Sequence, residues 1–284
     1  MIVAIASGKG GTGKTSLSVN LAALLAPVQL LDCDVEEPNA HLFLKADVET
    51  EDVVSMAVPE MIPERCNACG KCVHFCQYNA LALAGGKPMV FADMCHGCGG
   101  CTLVCRRGAI RERQQRVGAV TTRSTANGIW LHSGCLDIGN SMASMLVEAV
   151  KERLQPGEVA ILDAPPGTTC PVVATLRGVD FVVLVTEPTP FGLNDLKLAV
   201  AMVRALGLPF GVVVNRAGSG DARVQTYCAQ EGIALLLEIP HDRRIAEAHS
   251  NGQLILEVLP EYRTHFERLR QAIQQQAVKQ REAA

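Results

Sequence analysis

The feature that most restricts this chain is a cysteine spacing that occurs twice. Cys66, Cys69, Cys72 and Cys76 follow a C-x2-C-x2-C-x3-C rhythm, and Cys95, Cys98, Cys101 and Cys105 repeat it twenty-nine residues later. Three thiols two residues apart can cover three corners of an iron–sulfur cubane from one tight loop. The fourth ligand must come from elsewhere, and with two repeats it comes from the other one. The spacing therefore assigns Cys66, Cys69, Cys72 and Cys105 to one 4Fe-4S cluster, and Cys95, Cys98, Cys101 and Cys76 to a second. Zinc is the competing occupant, but a tetrahedral site uses two pairs with a gap and does not require a third cysteine at the same short interval. Gly70, Gly97, Gly99 and Ala68 suit loops whose amides turn inward toward sulfur. This is the run found in bacterial-type ferredoxins, except that Gln77 and Arg106 stand where proline commonly follows the fourth cysteine.

A second motif opens the chain. Gly8-x4-Gly13-Lys14-Thr15 follows the apolar run Ile2–Ala6 and precedes a helix-patterned stretch with Leu17, Leu21, Leu24 and Leu25 on one side. That strand–loop–helix context is what a phosphate-binding loop requires. Amides of Gly10, Gly11, Thr12, Gly13 and Ser16 can close around phosphate oxygens, with the helix N-terminus adding positive potential. Lys14 is expected to reach the β- and γ-phosphates of ATP, and Thr15 to ligate magnesium. Carboxylates for the metal and the attacking water are sought at strand ends. Asp163 closes Val159–Leu162 ahead of a Pro-Pro-Gly turn, and Asp32 and Asp34 follow Leu31, one of them expected to act at the water or the magnesium shell.

Composition bounds the remainder. The chain has 284 residues, 48% of them apolar, with a net charge of −3. It can bury one large core with a small satellite, or two modest domains. The near-balanced charge argues against nucleic acid as the main partner. No basic leader precedes Ile2 and no apolar run approaches a spanning length, so a cytoplasmic location without a membrane anchor is expected. The terminal stretch from Glu261, with Phe266, Leu269 and Ile273 on one side, is expected to pack on its own domain.

Short apolar runs at Ile2–Ala6, Val28–Leu31, Ile129–His132, Val159–Leu162, Phe181–Val185, Phe210–Val214 and Leu235–Ile239 alternate with helical patterns. The order predicts a doubly wound α/β fold with a mostly parallel sheet of the P-loop NTPase type. Residues 61–114 interrupt it as a small ferredoxin-like insert between segments 1–60 and 115–284. The stretches 59–63 and 112–116 read as connectors. From Glu64 to Arg113 seven basic residues face three acidic ones, an excess that can dock an acidic partner or offset negatively charged clusters.

Lys9 within the loop, Asp32-Cys33-Asp34, Asp163-Ala164-Pro165-Pro166-Gly167-Thr168 and Val214-Asn215-Arg216 resemble the motifs of deviant P-loop ATPases. That superfamily includes MinD, ParA, the Mrp-type iron–sulfur carriers and the nitrogenase iron protein. The interrupted order resembles MinD/Mrp-like ATPases with an inserted ferredoxin domain. The resemblance implies a homodimer in which Lys9 reaches the partner's nucleotide, with Asp34 near the attacking water and Asp163 in the magnesium shell. It further implies that Asn215 and Arg216 read adenine with help from Pro240 and Asp242. Thr186-Glu187-Pro188-Thr189-Pro190-Phe191 also resembles this group, without a derivable role.

Cys33 and Cys228 are expected in the core. Cys135 and Cys170 are likewise expected as buried small hydrophobes, the alternative being ligands of a third, subunit-bridging cluster. The functional expectation is an ATP-hydrolysing protein whose nucleotide state gates two clusters, delivering electrons or clusters to a redox or metallocofactor-assembly protein. Two rival functions are a plain electron carrier with a regulatory nucleotide site and a positioning ATPase with a redox sensor.

Overall fold

The computed structural model describes residues 1–282. The chain divides into two compact units, one of Met1–Glu51, Val120–Cys135 and Ser144 onward, the other of Asp52–Ala119 with Leu136–Ala143.

The first unit is built on alternating strands and helices: β1 (Ile2–Ala6), α1 (Lys14–Leu25) and β2 (Val28–Asp32) at the start. The chain then enters β3 (Asp47–Met61), which leads into the second unit. There lie α2 (Lys71–Phe75), the antiparallel hairpin β4 (Leu81–Ala84) and β5 (Lys87–Val90), and α3 (Gly100–Val104). β6 (Ile110–Ser124) returns to the first unit and is followed by β7 (Ile129–Leu136), α4 (Ala143–Lys151), β8 (Ala160–Asp163) and α5 (Cys170–Leu176). The remainder is β9 (Phe181–Thr186), α6 (Pro190–Ala205), β10 (Phe210–Ala217), α7 (Arg223–Gln230), β11 (Leu235–Pro240), α8 (Arg243–Ser250), α9 (Ile255–Val258) and α10 (Arg263–Glu282).

Nine strands form one sheet in the order β11-β10-β9-β1-β8-β2-β7-β6-β3. From β11 through β7 every recorded pairing is parallel. The central strands are apolar throughout because both faces are covered: all five residues of β2, all four of β8 and all six of β9 are buried. β1 lies between β8 and β9 although the chain passes directly from β8 to β9, so the strand order reverses beside the C-terminal end of β1. That is where open α/β sheets place their ligands.

The terminal helix α10 contributes Phe266, Leu269 and Ile273 to the same core as Leu17, Leu21 and Val3. Its apolar stripe is thus spent on its own unit, as expected. Among the described residues no helix is long and apolar enough to cross a membrane.

Residues 59–63 and 112–116, expected as connectors, are corrected: Pro59–Met61 end β3, and 112–116 lie inside β6. Both strands are 15 residues long and change character along their length. Asp47–Val53 are exposed, whereas Met56 and Val58 are buried; Arg111–Gln114 are exposed, whereas Val117–Thr122 are buried. The expected insert bounds, 61–114, lie inside the larger second unit.

Candidate functional site

In the first unit, three strand ends meet at one place. Asp32 of β2 and Asp163 of β8 are register partners on adjacent strands, and Ile5 of β1 pairs with Asp163 from the other side. The glycine-rich loop leaves β1 directly above them. Gly13 turns the chain into α1 with φ 94°, and a Cβ there would lie 2.4 Å from the Asn215 amide nitrogen. Only glycine meets both demands. The first turn of α1 then presents Lys14, Thr15 and Ser16 to a cavity of about 460 Å³, whose wall also includes Gly10, Gly11 and Gly13.

Lys14 is buried among three carboxylates. Burial lowers its pKa, opposed by Asp163, Asp34 and Asp32. Burial in turn pushes Asp32 and Asp163 upward, and each also feels other charges of the cluster. Asp34 is pushed up to about 6, chiefly by burial, with Lys14 pulling it back. Removed from water, these side chains form a site with surplus negative charge that a cation would relieve.

Asp32 and Asp34 are not equivalent. The Asp32 carboxylate accepts from the backbone N–H of Asp34 at 3.2 Å, Asn39 at 3.0 Å and Ala40 at 2.9 Å. It organises the loop after β2 and does not line the cavity. Asp34 does line it, with Glu37 and Asn39. Asp163 accepts from Ser18 Oγ at 3.0 Å through Oδ1, while Oδ2 is buried without a partner. An orphaned carboxylate oxygen beside Thr15 fits a magnesium ion, whose hard oxygen ligands these are.

Asn215 is a strut as well as a wall. Its amide donates to the Thr12 carbonyl at 2.8 Å, and its Oδ1 accepts from the N–H of Arg216 at 2.9 Å. The end of β10 is thereby tied to the phosphate loop. Pro240, His241 and Asp242 line the same cavity with Ile245 and His249. Asp242 is largely committed elsewhere: it caps α8 through the Arg244 N–H, pairs with the Arg244 guanidinium at 2.7 Å and accepts from Tyr262. Arg244 holds its carboxyl well below the usual range.

Lys9 and Thr12 do not line the cavity. Thr12 is buried with its hydroxyl unpartnered. Lys9 Nζ lies 3.1 Å from Glu187 Oε2, and Glu187 Oε1 lies 2.6 Å from Arg216 Nη1. Glu187 was not read as a site residue from the sequence, where it was one acid in a proline-rich strand end. Ser18 and His249 were also missed, each carrying no signal beyond helix membership.

In the second unit the eight cysteines sort into two groups. One cavity, of about 220 Å³, is lined by Cys66, Cys69, Cys72 and Cys105. A smaller one, about 20 Å³, is lined by Cys76, Cys95, Cys98 and Cys101. Each joins three thiols of one repeat to the fourth of the other. Backbone amides approach sulfur from Ala68 to Cys66 and Gly97 to Cys95 at 3.4 Å, and from Ala109 to Cys105 at 3.3 Å. Gly97 has φ +66°, and a Cβ there would lie 2.7 Å from Met56. Among the described residues no three ligand-type side chains converge on a single ion position. Around the larger cavity the thiols surround a space instead of a point, an arrangement that suits a multi-iron cluster better than zinc.

Cys33 and Cys228 are buried as expected. Cys135 and Cys170 are corrected: both are exposed. Cys170 occupies the first position of α5, and Cys135 follows the buried Gly134 near the end of β7.

A model of the CobQ/CobB/MinD/ParA nucleotide binding domain matches residues 3–255. An uncharacterized protein of Methanocaldococcus jannaschii is 34% identical over 265 residues, covering 90% of this chain and 91% of the relative. An iron-sulfur cluster carrier protein of Pyrococcus abyssi is 26% identical over 280 residues, covering 88% and 77%. Among solved structures, the Pyrococcus furiosus cell division ATPase MinD superposes with a TM-score of 0.57 at 20% identity, covering 96% of this chain and 98% of that one. The Mg-ADP complex of Pyrococcus horikoshii MinD gives 0.57 at 20% identity, covering 94% and 93%.

Proposed function

The chain belongs to the CobQ/CobB/MinD/ParA nucleotide-binding family and is a P-loop ATPase of MinD/ParA type, and from that premise we propose that it is an ATP-driven iron–sulfur protein. In this reading it carries two 4Fe-4S clusters and delivers electrons or clusters to an acceptor during metallocofactor or iron–sulfur assembly. The observation that carries the reading is the sorting of eight thiols into two fours, each crossing between the repeats. The relatives named iron-sulfur cluster carrier proteins support delivery as the use.

In the ATPase unit, Lys14 and the amides of Gly10 to Ser16 hold the phosphates. Thr15 and Asp163 hold magnesium, which when bound neutralises phosphate charge and polarises the γ-phosphate. Asp34, facing the cavity with a raised pKa, orients the attacking water. Asn215 and Arg216 with Pro240 and Asp242 form the base side. Lys9, within the loop but paired with Glu187, is the residue that acts at the interface of a homodimer.

Nucleotide state is coupled to the clusters through the chain itself. Asp32 fixes the backbone of Asn39 and Ala40, and the chain soon continues into β3, whose far end belongs to the thiol-bearing unit. A rearrangement of the Asp34–Ala40 loop on hydrolysis is transmitted along that strand. Iron and acid-labile sulfide analysis of anaerobically purified protein tests the reading. About eight irons per chain are expected, whereas zinc in their place would refute it.

A further inference from the structure

The two thiol cavities are chemically unlike, although one spacing builds both. The lining around Cys66, Cys69, Cys72 and Cys105 includes Lys71, Arg106 and Arg107 and no carboxylate. The lining around the other four thiols includes Phe75, Tyr78, His96 and Glu112, with no lysine or arginine. There His96 stacks on Tyr78, ring centroids 3.8 Å apart and planes within 15°.

Lys71, Arg106 and Arg107 are all exposed. Among the described residues none of the three has an ion-pair partner. Other arginines of the same unit are neutralised locally: Arg111 by Glu60 at 2.6 Å and Arg116 by Asp137 at 3.0 Å. Arg65, Lys87 and Arg113 also have no ion-pair partner among the described residues, but they line neither cavity, so unpaired cations border one thiol cavity and not the other. Offsetting the cofactor does not account for this. A cluster with four thiolates carries the same charge in either cavity, so cations needed for neutrality alone would border both.

Apolar side chains accompany the cations. Met61, Leu83 and Pro88 line the same cavity, and Leu83 is 40% exposed. An apolar centre edged by unpaired positive charge is the composition that steers and orients an acidic protein surface. With the whole chain at −3, the rim is a local reversal of sign, which sharpens orientation for an acidic partner.

We infer that the rim formed by Lys71, Arg106 and Arg107 beside the Cys66–Cys69–Cys72–Cys105 cavity is the docking surface for an acidic protein partner. The inference rests on reading both cavities as cluster sites, since the charge comparison uses it.

The test is fluorescence anisotropy of a labelled decaglutamate peptide, titrated with the anaerobically purified full chain at low and at physiological salt. An oligonucleotide of equal charge serves as the second arm. Wild type binds the peptide, with affinity falling roughly tenfold across that salt range. Lys71→Glu/Arg106→Glu/Arg107→Glu weakens binding by roughly tenfold or more at low salt, whereas Lys87→Glu, in the same unit and outside the rim, changes it less than about twofold. If the triple reversal lowers iron content, the same substitutions to Gln are used and the loss is expected to be smaller but in the same direction. Unchanged peptide binding in the rim variant overturns the inference. So does tighter binding of the oligonucleotide that the same variant abolishes, which would make the rim a nucleic-acid surface. Iron content measured on the same samples separates this failure from failure of the cluster reading.

Discussion

Glu187 holds Lys9 at 3.1 Å with one carboxylate oxygen and Arg216 at 2.6 Å with the other. One buried acid thus joins the phosphate loop to the end of β10. Glu187 does not line the nucleotide cavity itself, so its charge acts there through Lys9 of the loop and Arg216 of the cavity wall. Glu187→Gln should release Lys9 and tighten ATP binding by roughly threefold to tenfold, read by titration with a fluorescent ATP analogue. Its stability should fall by about 1–3 kcal/mol in urea, because two cations lose their partner in a partly buried setting. Weaker ATP binding in this variant would show that Glu187 supports the bound state instead of opposing it.

Lys14 is surrounded by Asp32, Asp34 and Asp163. Lys14→Met should abolish ATP binding. It should also destabilise the nucleotide-free protein by about 1–3 kcal/mol near pH 8, where the three acids are left without a cation, and by less near pH 5. Guanidinium melts at the two pH values check the difference. An equal loss at both would assign the effect to packing.

The raised carboxyl pKa of Asp34, about 6, sets a pH dependence. Between its ordinary value of 3.8 and about 6 the folded state binds more protons than the unfolded chain, so stability falls as pH rises through that window. Asp32 and Asp163, shifted in the same direction, add to the fall. Nucleotide-free protein should therefore melt at a lower temperature at pH 7.5 than at pH 5. Mg-ADP should remove most of the difference by holding the carboxylates ionised, and scanning calorimetry with and without it reports the result.

Cys76→Ser removes a thiol that belongs to the first repeat in sequence but to the second cavity in space. Iron should fall from about eight to about four per chain. The surviving cluster should be the one held by Cys66, Cys69, Cys72 and Cys105, so adding Cys95→Ser should cause no further loss. Loss of a second set of irons in the double variant would mean that each repeat binds its own cluster.

Much of this was legible from residue order because the chemistry is local. The central strands are buried on both faces, so their apolar runs mark them directly, and the phosphate loop and the two cysteine repeats are contiguous. β3 and β6 were not legible. Each begins or passes through a charged, exposed stretch, so Pro59–Pro63 and Glu112–Arg116 looked like connectors. The five-residue helices α2 and α3 carry too few positions for a period to show. Cys135 and Cys170 were misjudged because cysteine is commonly buried, whereas a strand-end position and a first helical turn leave the side chain outside. Asp32 and Asp34 could be separated only once the backbone of Asn39 and Ala40 folded back onto Asp32. The Glu187 pairings join positions 178 residues apart in one case and reach across α6 to the end of β10 in the other, beyond the reach of any local pattern.

The central claim is that ATP state and cluster state are linked within one chain. EPR spectra of dithionite-reduced, anaerobically purified protein, recorded with and without ATP–magnesium, test it most directly. The account predicts two interacting reduced four-iron clusters whose spectrum changes when ATP–magnesium is added, with the change absent in Lys14→Met. A four-iron spectrum indifferent to nucleotide in the wild type would contradict it.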